Sequence, residues 1–277
     1  MGEPESEKAI WTPLKIIQWA VPYLTQNGIT QARFDAESLV AHALKLDRLK
    51  VYLQFDRPLD VSELSLIRDY MKRRALHEPI QYIVGTREFY GHPFKVAPGV
   101  LIPRPETEQF VELAINHLKE LPEDKRQVLD LGTGSGCIAL SVAKEVPCQV
   151  WAVDISPAAL AIAQENASLL GIPGIHWKQG DWFSALNPNE TGKFQVILSN
   201  PPYIPLVEKT EMEPQVRDFE PAEALFGGES GLEAYEKLAL SLDQWLVPGG
   251  IALLELHAHG LERVLPLFEK AGFRGEN

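Results

Sequence analysis

The spacing of apolar residues changes character twice along the 277-residue chain. From Thr12 to His77 it is helical. Leu14, Ile17, Val21 and Leu24 mark a first helix, opened by Thr12 as N-cap with Pro13 in the first turn and closed by Asn27-Gly28. Pro22 lies inside this pattern and is expected to kink or split the helix. Asp35 to Lys45 reads as a second helix with Leu39, Val40, Ala43 and Leu44 inward, and Leu49 to Phe55 as a short third. Val61 to His77 reads as a fourth, with Leu64, Ile67, Tyr70, Met71 and Ala75 as its packed stripe. The expectation is a helical bundle over residues 1–79, with Trp11, Trp19, Tyr23, Phe34 and Tyr52 in its core. Residues 1–10 are read as disordered.

The pattern then turns to strands. Ile80 to Val100 is rich in β-branched and aromatic residues and is broken by Gly85 and Gly91-His92-Pro93, which predicts a β-hairpin joining two domains over residues 80–103. A helix should follow, with Pro105 in its first turn and its end near Lys119. From Arg126 strands and helices alternate. Strands are expected at Gln127 to Leu131, Gln149 to Val153, Ile175 to Gln179, Phe194 to Ser199 and Gly250 to Glu255. Helices are expected at Cys137 to Glu145, Pro157 to Leu170, Gly231 to Leu246 and Gly260 to Ala271. Such alternation means an α/β domain over residues 104–277, a mostly parallel sheet with helices on both faces.

Composition narrows the setting. A hydrophobic share of 45% and a charged share of 23% suit a soluble globular protein, and no apolar run approaches a membrane span. The acidic start, Met1 to Glu7, does not read as a signal peptide. Cys137 and Cys148 are too few for a disulfide framework or a metal cluster, so a reduced, cytoplasmic protein without metal is expected. The net charge of −12 falls wholly after residue 90, because residues 1–90 hold 12 basic and 12 acidic side chains and the rest 14 and 26. That balance argues against nucleic acid as a direct partner. The local cluster Lys72, Arg73 and Arg74 is read as a solvated helix face.

Candidate chemistry gathers at three strand ends. Asn200-Pro201-Pro202-Tyr203 follows an apolar strand, and two prolines stop that strand because neither can donate a ladder hydrogen bond. An amide and an aromatic ring are thereby fixed at the sheet's carboxyl edge, where ligands bind in open α/β sheets. Asp130-Leu131-Gly132-Thr133-Gly134-Ser135-Gly136 lies between a strand and a helix. A dinucleotide fingerprint would need Gly or Ala where Cys137 stands. The spacing better fits S-adenosylmethionine, which has no pyrophosphate to cradle. Asp154 ends the next strand, where a carboxylate can accept both ribose hydroxyls. Asp181 could accept from an adenine amino group, and Trp182 could stack on its ring.

These pieces together resemble the peptide-chain release-factor glutamine methyltransferases of the HemK type, the PrmC family. The resemblance rests on the segments 130–136 and 200–203, on Ile102-Pro103-Arg104-Pro105-Glu106-Thr107-Glu108, on Glu220-Pro221 with Ala224-Leu225-Phe226, and on Gly228 to Leu232. It covers nearly the whole chain. It implies a seven-stranded-type, Rossmann-like methyltransferase sheet, here short at its C-terminal end because the chain stops at Gly272 to Asn277, which would leave a sheet edge unpaired. It also implies methyl transfer from S-adenosylmethionine to the side-chain amide of the glutamine in the Gly-Gly-Gln loop of release factors. The helical domain would dock that protein substrate, and the enzyme would act as a monomer. Cofactor contacts would fall on Asp130, Gly132, Thr133, Gly134, Ser135, Gly136, Asp154, Asp181, Trp182 and Asn200. Substrate contacts would fall on Asn200, Pro201, Pro202 and Tyr203, with Arg104 and Glu106 shaping the entrance.

The chemistry explains why such residues are needed. An amide nitrogen is a poor nucleophile because its lone pair is delocalised, so the task is orientation and local electrostatics. The Asn200 side-chain carbonyl and the Pro201 backbone carbonyl can each accept one hydrogen of the target NH2, and Tyr203 can lie against the flat amide. The competing expectation is a nucleic-acid methyltransferase acting on the exocyclic amine of a flipped base, which uses the same Asn-Pro-Pro-Tyr logic. A third is a non-catalytic cofactor-binding module.

Overall fold

The computed structural model describes residues 10–258 and 260–275; the disorder expected for residues 1–10 falls, except at Ile10, outside the described residues. The chain divides into two compact units, Met1–Val84 and Gly85–Asn277.

The first unit is helical. Helix α1 (Pro13–Gln26) is capped by Thr12, whose hydroxyl accepts the Lys15 amide at 3.3 Å. It runs unbroken through Pro22. Of the kink or split expected there, the split does not occur: Ile16, Ile17, Ala20 and Leu24 bury a continuous stripe on both sides of the proline. Helix α2 (Ala32–Ala43) begins three residues before the expected start and packs on α1 and on α4 (Val61–Ala75). Between them lies α3 (Arg48–Leu53), capped by Asp47. A reciprocal capping box of Asp60 and Glu63 opens α4. Its Ile67, Met71 and Ala75 are buried as expected, while Leu64 and Tyr70 are partly covered.

Two readings of this unit need correction. Arg74 is buried and pairs with the buried Asp35 at 2.6 Å, and Arg73 pairs with Glu78, so the basic cluster is largely neutralised within the unit. Trp19, Phe34 and Tyr52 are exposed rather than core. Each is covered by a polar or aromatic neighbour: Trp19 stacks on Tyr23 at 5.0 Å, Arg48 lies over the Phe34 ring, and the Tyr52 hydroxyl bonds to Glu37.

Residues 80–84, expected to open the hairpin, form the short helix α5 (Ile80–Val84) that closes the first unit. The hairpin itself, β1 (Thr86–Phe89) and β2 (His92–Lys95), belongs to the second unit. Its two-residue turn places Tyr90 at φ 49° and Gly91 at φ 72°, the left-handed pair that matches strand twist. Phe89 and Phe94 then pack edge-to-face at 6.0 Å in the core beside α6 (Thr107–Lys119).

The second unit is a five-stranded parallel sheet of order β5-β4-β3-β6-β7. Chain order gives β3 (Gln127–Leu131), α7 (Cys137–Glu145), β4 (Gln149–Asp154), α8 (Pro157–Leu170) and β5 (His176–Gln179). Next come the turn α9 (Pro188–Thr191), β6 (Phe194–Ser199), and the turns α10 (Pro214–Arg217) and α11 (Ala222–Leu225). The chain continues with α12 (Glu233–Ala239), α13 (Leu242–Trp245), β7 (Leu246–Leu254) and α14 (Leu261–Lys270). Alternation along β3 sends Val128 into the core with α6 and α7, and Leu129 and Leu131 into the core with α12 and α14.

Two boundaries differ from expectation. The helix expected from Gly231 to Leu246 is broken into α12 and α13. Glu233 folds its carboxylate back onto the Ser230 and Leu232 amides and sets the later start. The break seats Trp245 against Phe183 and Phe194. Strand β7 begins at Leu246 rather than Gly250: Leu246 pairs with Phe194, the chain loops out, and pairing resumes at Ile251 opposite Val196.

Candidate active site

Strands β3 and β6 are neighbours, but the chain leaves β3 toward β4 and leaves β6 toward β7. The loops after them diverge and open a crevice at the sheet's carboxyl edge. A cavity of about 250 Å³ occupies it, lined by residues from the β3, β4, β5 and β6 ends.

After β3 the chain turns through Gly132, Gly134 and Gly136 at φ 74°, 57° and 80°. Side chains rarely adopt such backbone, so glycine is needed there. At Gly136 a Cβ would also lie 3.0 Å from the Ala163 Cβ, so this glycine permits α7 to approach α8. Asp130 is fully buried beneath the loop. Its Oδ2 accepts the Thr133 hydroxyl at 2.7 Å and the Ala139 amide at 3.2 Å, while Oδ1 has no hydrogen-bond partner. Burial pushes its pKa from 3.8 up to about 7.

Asp154 closes β4 at the cavity wall. Its Oδ2 accepts the Gly134 amide at 2.8 Å and its Oδ1 the Ser156 amide at 2.9 Å. Burial raises its pKa, and these two amides oppose the shift. The carboxylate therefore fixes the glycine loop while keeping free lone pairs for a ligand. The helix cap that Asp154 might have supplied is made instead by Ser156. Asp181 and Trp182 follow β5 on the same wall, and Asp181 pairs with Lys237 at 3.2 Å. The Trp182 ring lies over Gly132, 3.8 Å from where a Cβ would stand.

Asn200 and Pro202 line the cavity opposite the glycine loop. The turn they belong to is clamped from behind. Ile204 donates to the Leu225 carbonyl and accepts from Gly227, and Leu206 donates to Gly228. A Cβ on Gly227 would sit 2.3 Å from the Pro202 oxygen, and one on Gly231 2.5 Å from the Tyr203 oxygen. The segment 224–231 thus carries small residues where it must touch the turn backbone. Tyr203 lies edge-on to His257 at 5.8 Å. Burial and then the charge of Glu255 push its hydroxyl up to about 12.

Several expected site residues thus meet at one cavity: Gly132, Gly134, Asp154, Asp181, Trp182, Asn200 and Pro202. Others do not line it. Asp130, Thr133 and Ser135 are buried beneath the loop and shape it. Asp130 is fully buried, with its Oδ2 held by the Thr133 hydroxyl and by the Ala139 amide in the first turn of α7. Gly136, Pro201 and Tyr203 do not line the cavity either, and Tyr203 lines a second hollow with His257 and Arg263. Arg104 bonds to the buried Glu220 at 2.7 Å, and the other Glu220 oxygen takes the Ile102 amide at 3.1 Å. This ion pair fixes the Arg104 loop. Glu106 is exposed at the start of α6, near enough to raise the pKa values of Tyr203 and Glu255.

Sequence reasoning missed Glu255 and the apolar wall of Val100 and Leu101. The signal for Glu255 was present, since a carboxylate at the end of an apolar strand is what singled out Asp154.

Comparison with known proteins adds two findings. Residues 15–85 match the PrmC N-terminal domain and residues 105–216 the methyltransferase small domain. The chain is 43% identical over 265 residues to a release factor glutamine methyltransferase of Geobacter sulfurreducens, covering 95% of this chain and 90% of that one. It is 38% identical over 264 residues to one of Chlorobaculum tepidum, covering 93% and 90%, and 43% identical over 239 residues to one of Koribacter versatilis, covering 86% and 83%.

Proposed function

The chain belongs to the release factor glutamine methyltransferases, S-adenosylmethionine-dependent enzymes, and on that premise we propose that it methylates the side-chain amide nitrogen of the glutamine in the Gly-Gly-Gln loop of peptide-chain release factors. The observation that carries the proposal is the place of Asn200. Asn200 lines the glycine-loop cavity and opens the Asn-Pro-Pro-Tyr turn, which supports a reading in which it stands between the methyl donor and the acceptor amide.

The cavity suits the methyl donor. Gly132 and Gly134 bring bare backbone to its wall, Asp154 presents a held carboxylate for ribose hydroxyls, and Trp182 with Val153 and Ile155 offers apolar surface to a purine. When bound, S-adenosylmethionine supplies an electrophilic methyl group whose bonding pair stays with sulfur as the N–C bond forms. Asn200 and Pro201 each accept one hydrogen of the target NH2, which holds the nitrogen lone pair toward the cavity and discourages conjugation. Tyr203 excludes water from the amide face. Positioning of this kind can supply up to about 7–11 kcal/mol of barrier reduction. The extra proton on the methylated nitrogen leaves to water afterwards, so no general base is required.

The helical unit is assigned the docking of the release factor, whose place of action is the cytoplasm. No described helix is long and apolar enough to cross a membrane. A nucleic-acid substrate is disfavoured by the internal pairing of Arg73 and Arg74. Labelled-methyl transfer tests the assignment: label should enter purified release factor and not total RNA or DNA, and the reverse result would replace this reading.

A further inference from the structure

Glu255 has no part in the mechanism above, yet three side chains converge on its carboxylate. The Thr107 hydroxyl of α6 donates to Oε2 at 2.6 Å. Asn200 and Tyr203 also face it, and both hold its pKa down against the rise that burial imposes. The Glu255 backbone is fixed at both atoms: its amide donates to the Ser199 carbonyl at 3.0 Å, and its carbonyl accepts the Tyr235 hydroxyl at 2.7 Å. The register explains the meeting. Ser199 pairs with Leu254 in the β6–β7 ladder, so the next residues, Asn200 and Glu255, leave the sheet side by side.

The chemistry of the partners decides which end of Asn200 faces which way. An ionised carboxylate has only acceptor oxygens, so the asparagine atom turned toward it is Nδ2. Oδ1 is then directed away. An unrestrained asparagine amide can rotate about its last side-chain bond and present either end, and with NH2 outward it would repel the NH2 of a target amide.

We propose that Glu255 is a positioning residue that fixes the Asn200 side chain with its carbonyl oxygen toward the target amide. Thr107 supports it by holding one carboxylate oxygen. The inference rests on the assignment of amide methylation at Asn200.

Glu255→Gln keeps the size of the side chain but makes its head group both donor and acceptor, so Asn200 is no longer held one way round. With release factor as substrate, kcat should fall on the order of 10–100-fold, while KM and the calorimetric affinity for S-adenosylhomocysteine stay within about two-fold. Added to Asn200→Ala, Glu255→Gln should cost nothing further, since both act through one group. If Glu255→Gln fails to fold, Thr107→Val should still lower kcat with KM unchanged. Wild-type kcat in the folded single variants, or a full additional loss on top of Asn200→Ala, would overturn the inference. A separate readout needs no turnover. The Asn200 side-chain amide resonance, identified by its loss in Asn200→Ala, should shift in Glu255→Gln or Thr107→Val; an unmoved resonance also overturns the inference. Failure of wild type to methylate the release factor, with that resonance shifted as expected, would instead refute the assigned reaction alone.

Discussion

The Asn166 side chain donates to the Ser135 carbonyl at 2.9 Å and, through its oxygen, accepts the Lys95 amide at 2.7 Å. A second donor bond reaches the Lys95 carbonyl at 3.0 Å. One fully buried amide on α8 therefore joins the hairpin strand β2 to the glycine loop. Asn166→Leu strands three polar groups at once. Each buried group left unpaired costs about 1–3 kcal/mol, so urea unfolding should show a loss of at least that size. A variant as stable as wild type would contradict the tie.

Asp154 anchors the loop from the other side through the Gly134 amide. Asp154→Ala should weaken S-adenosylmethionine binding roughly 10–100-fold, the equivalent of about 1.4–2.8 kcal/mol of lost charge-assisted hydrogen bonding. Calorimetry reads this directly, and unchanged affinity would remove Asp154 from the ligand site.

Asp130 has its pKa raised to about 7 by burial. A carboxyl that binds its proton more tightly folded than unfolded stabilises the fold only while protonated. Its contribution is thus fully present below about pH 4, is lost as the pH rises toward 7, and changes little above. Asp130→Asn should flatten that part of the stability-versus-pH curve, since Asn carries no titrating proton. Denaturant midpoints from pH 4 to 8 check this; an identical slope in wild type and variant would refute it.

How much of this was legible in the chain follows from where side chains meet. Strand β6 and the Asn200 turn read correctly because a solid apolar run ended by two prolines has few other solutions. The glycine loop read correctly because β3 and α7 flank it with opposite periods. Hidden were relationships set by register and by cross-chain pairing. Glu255 reaches Asn200 only because β7 lies beside β6 in a particular register, and no local pattern encodes that. Arg74 reads as part of a solvated helix face, and only packing pairs it with Asp35, 39 residues away in the chain. Trp19, Phe34 and Tyr52 were misplaced because an aromatic met by a polar or aromatic neighbour at the surface is as compatible with the pattern as a buried one.

The proposed methylation depends on Asn200 presenting an acceptor to an amide beside the methyl donor. The most direct measurement is mass spectrometry of the Gly-Gly-Gln peptide of a release factor after incubation with S-adenosylmethionine and either wild type or Asn200→Ala. Wild type should add one methyl group to the glutamine side chain, and Asn200→Ala should lose about 100-fold or more in rate while keeping its affinity for the donor within a few-fold. A glutamine left unmodified by wild type, or methylated equally fast by Asn200→Ala, would contradict it.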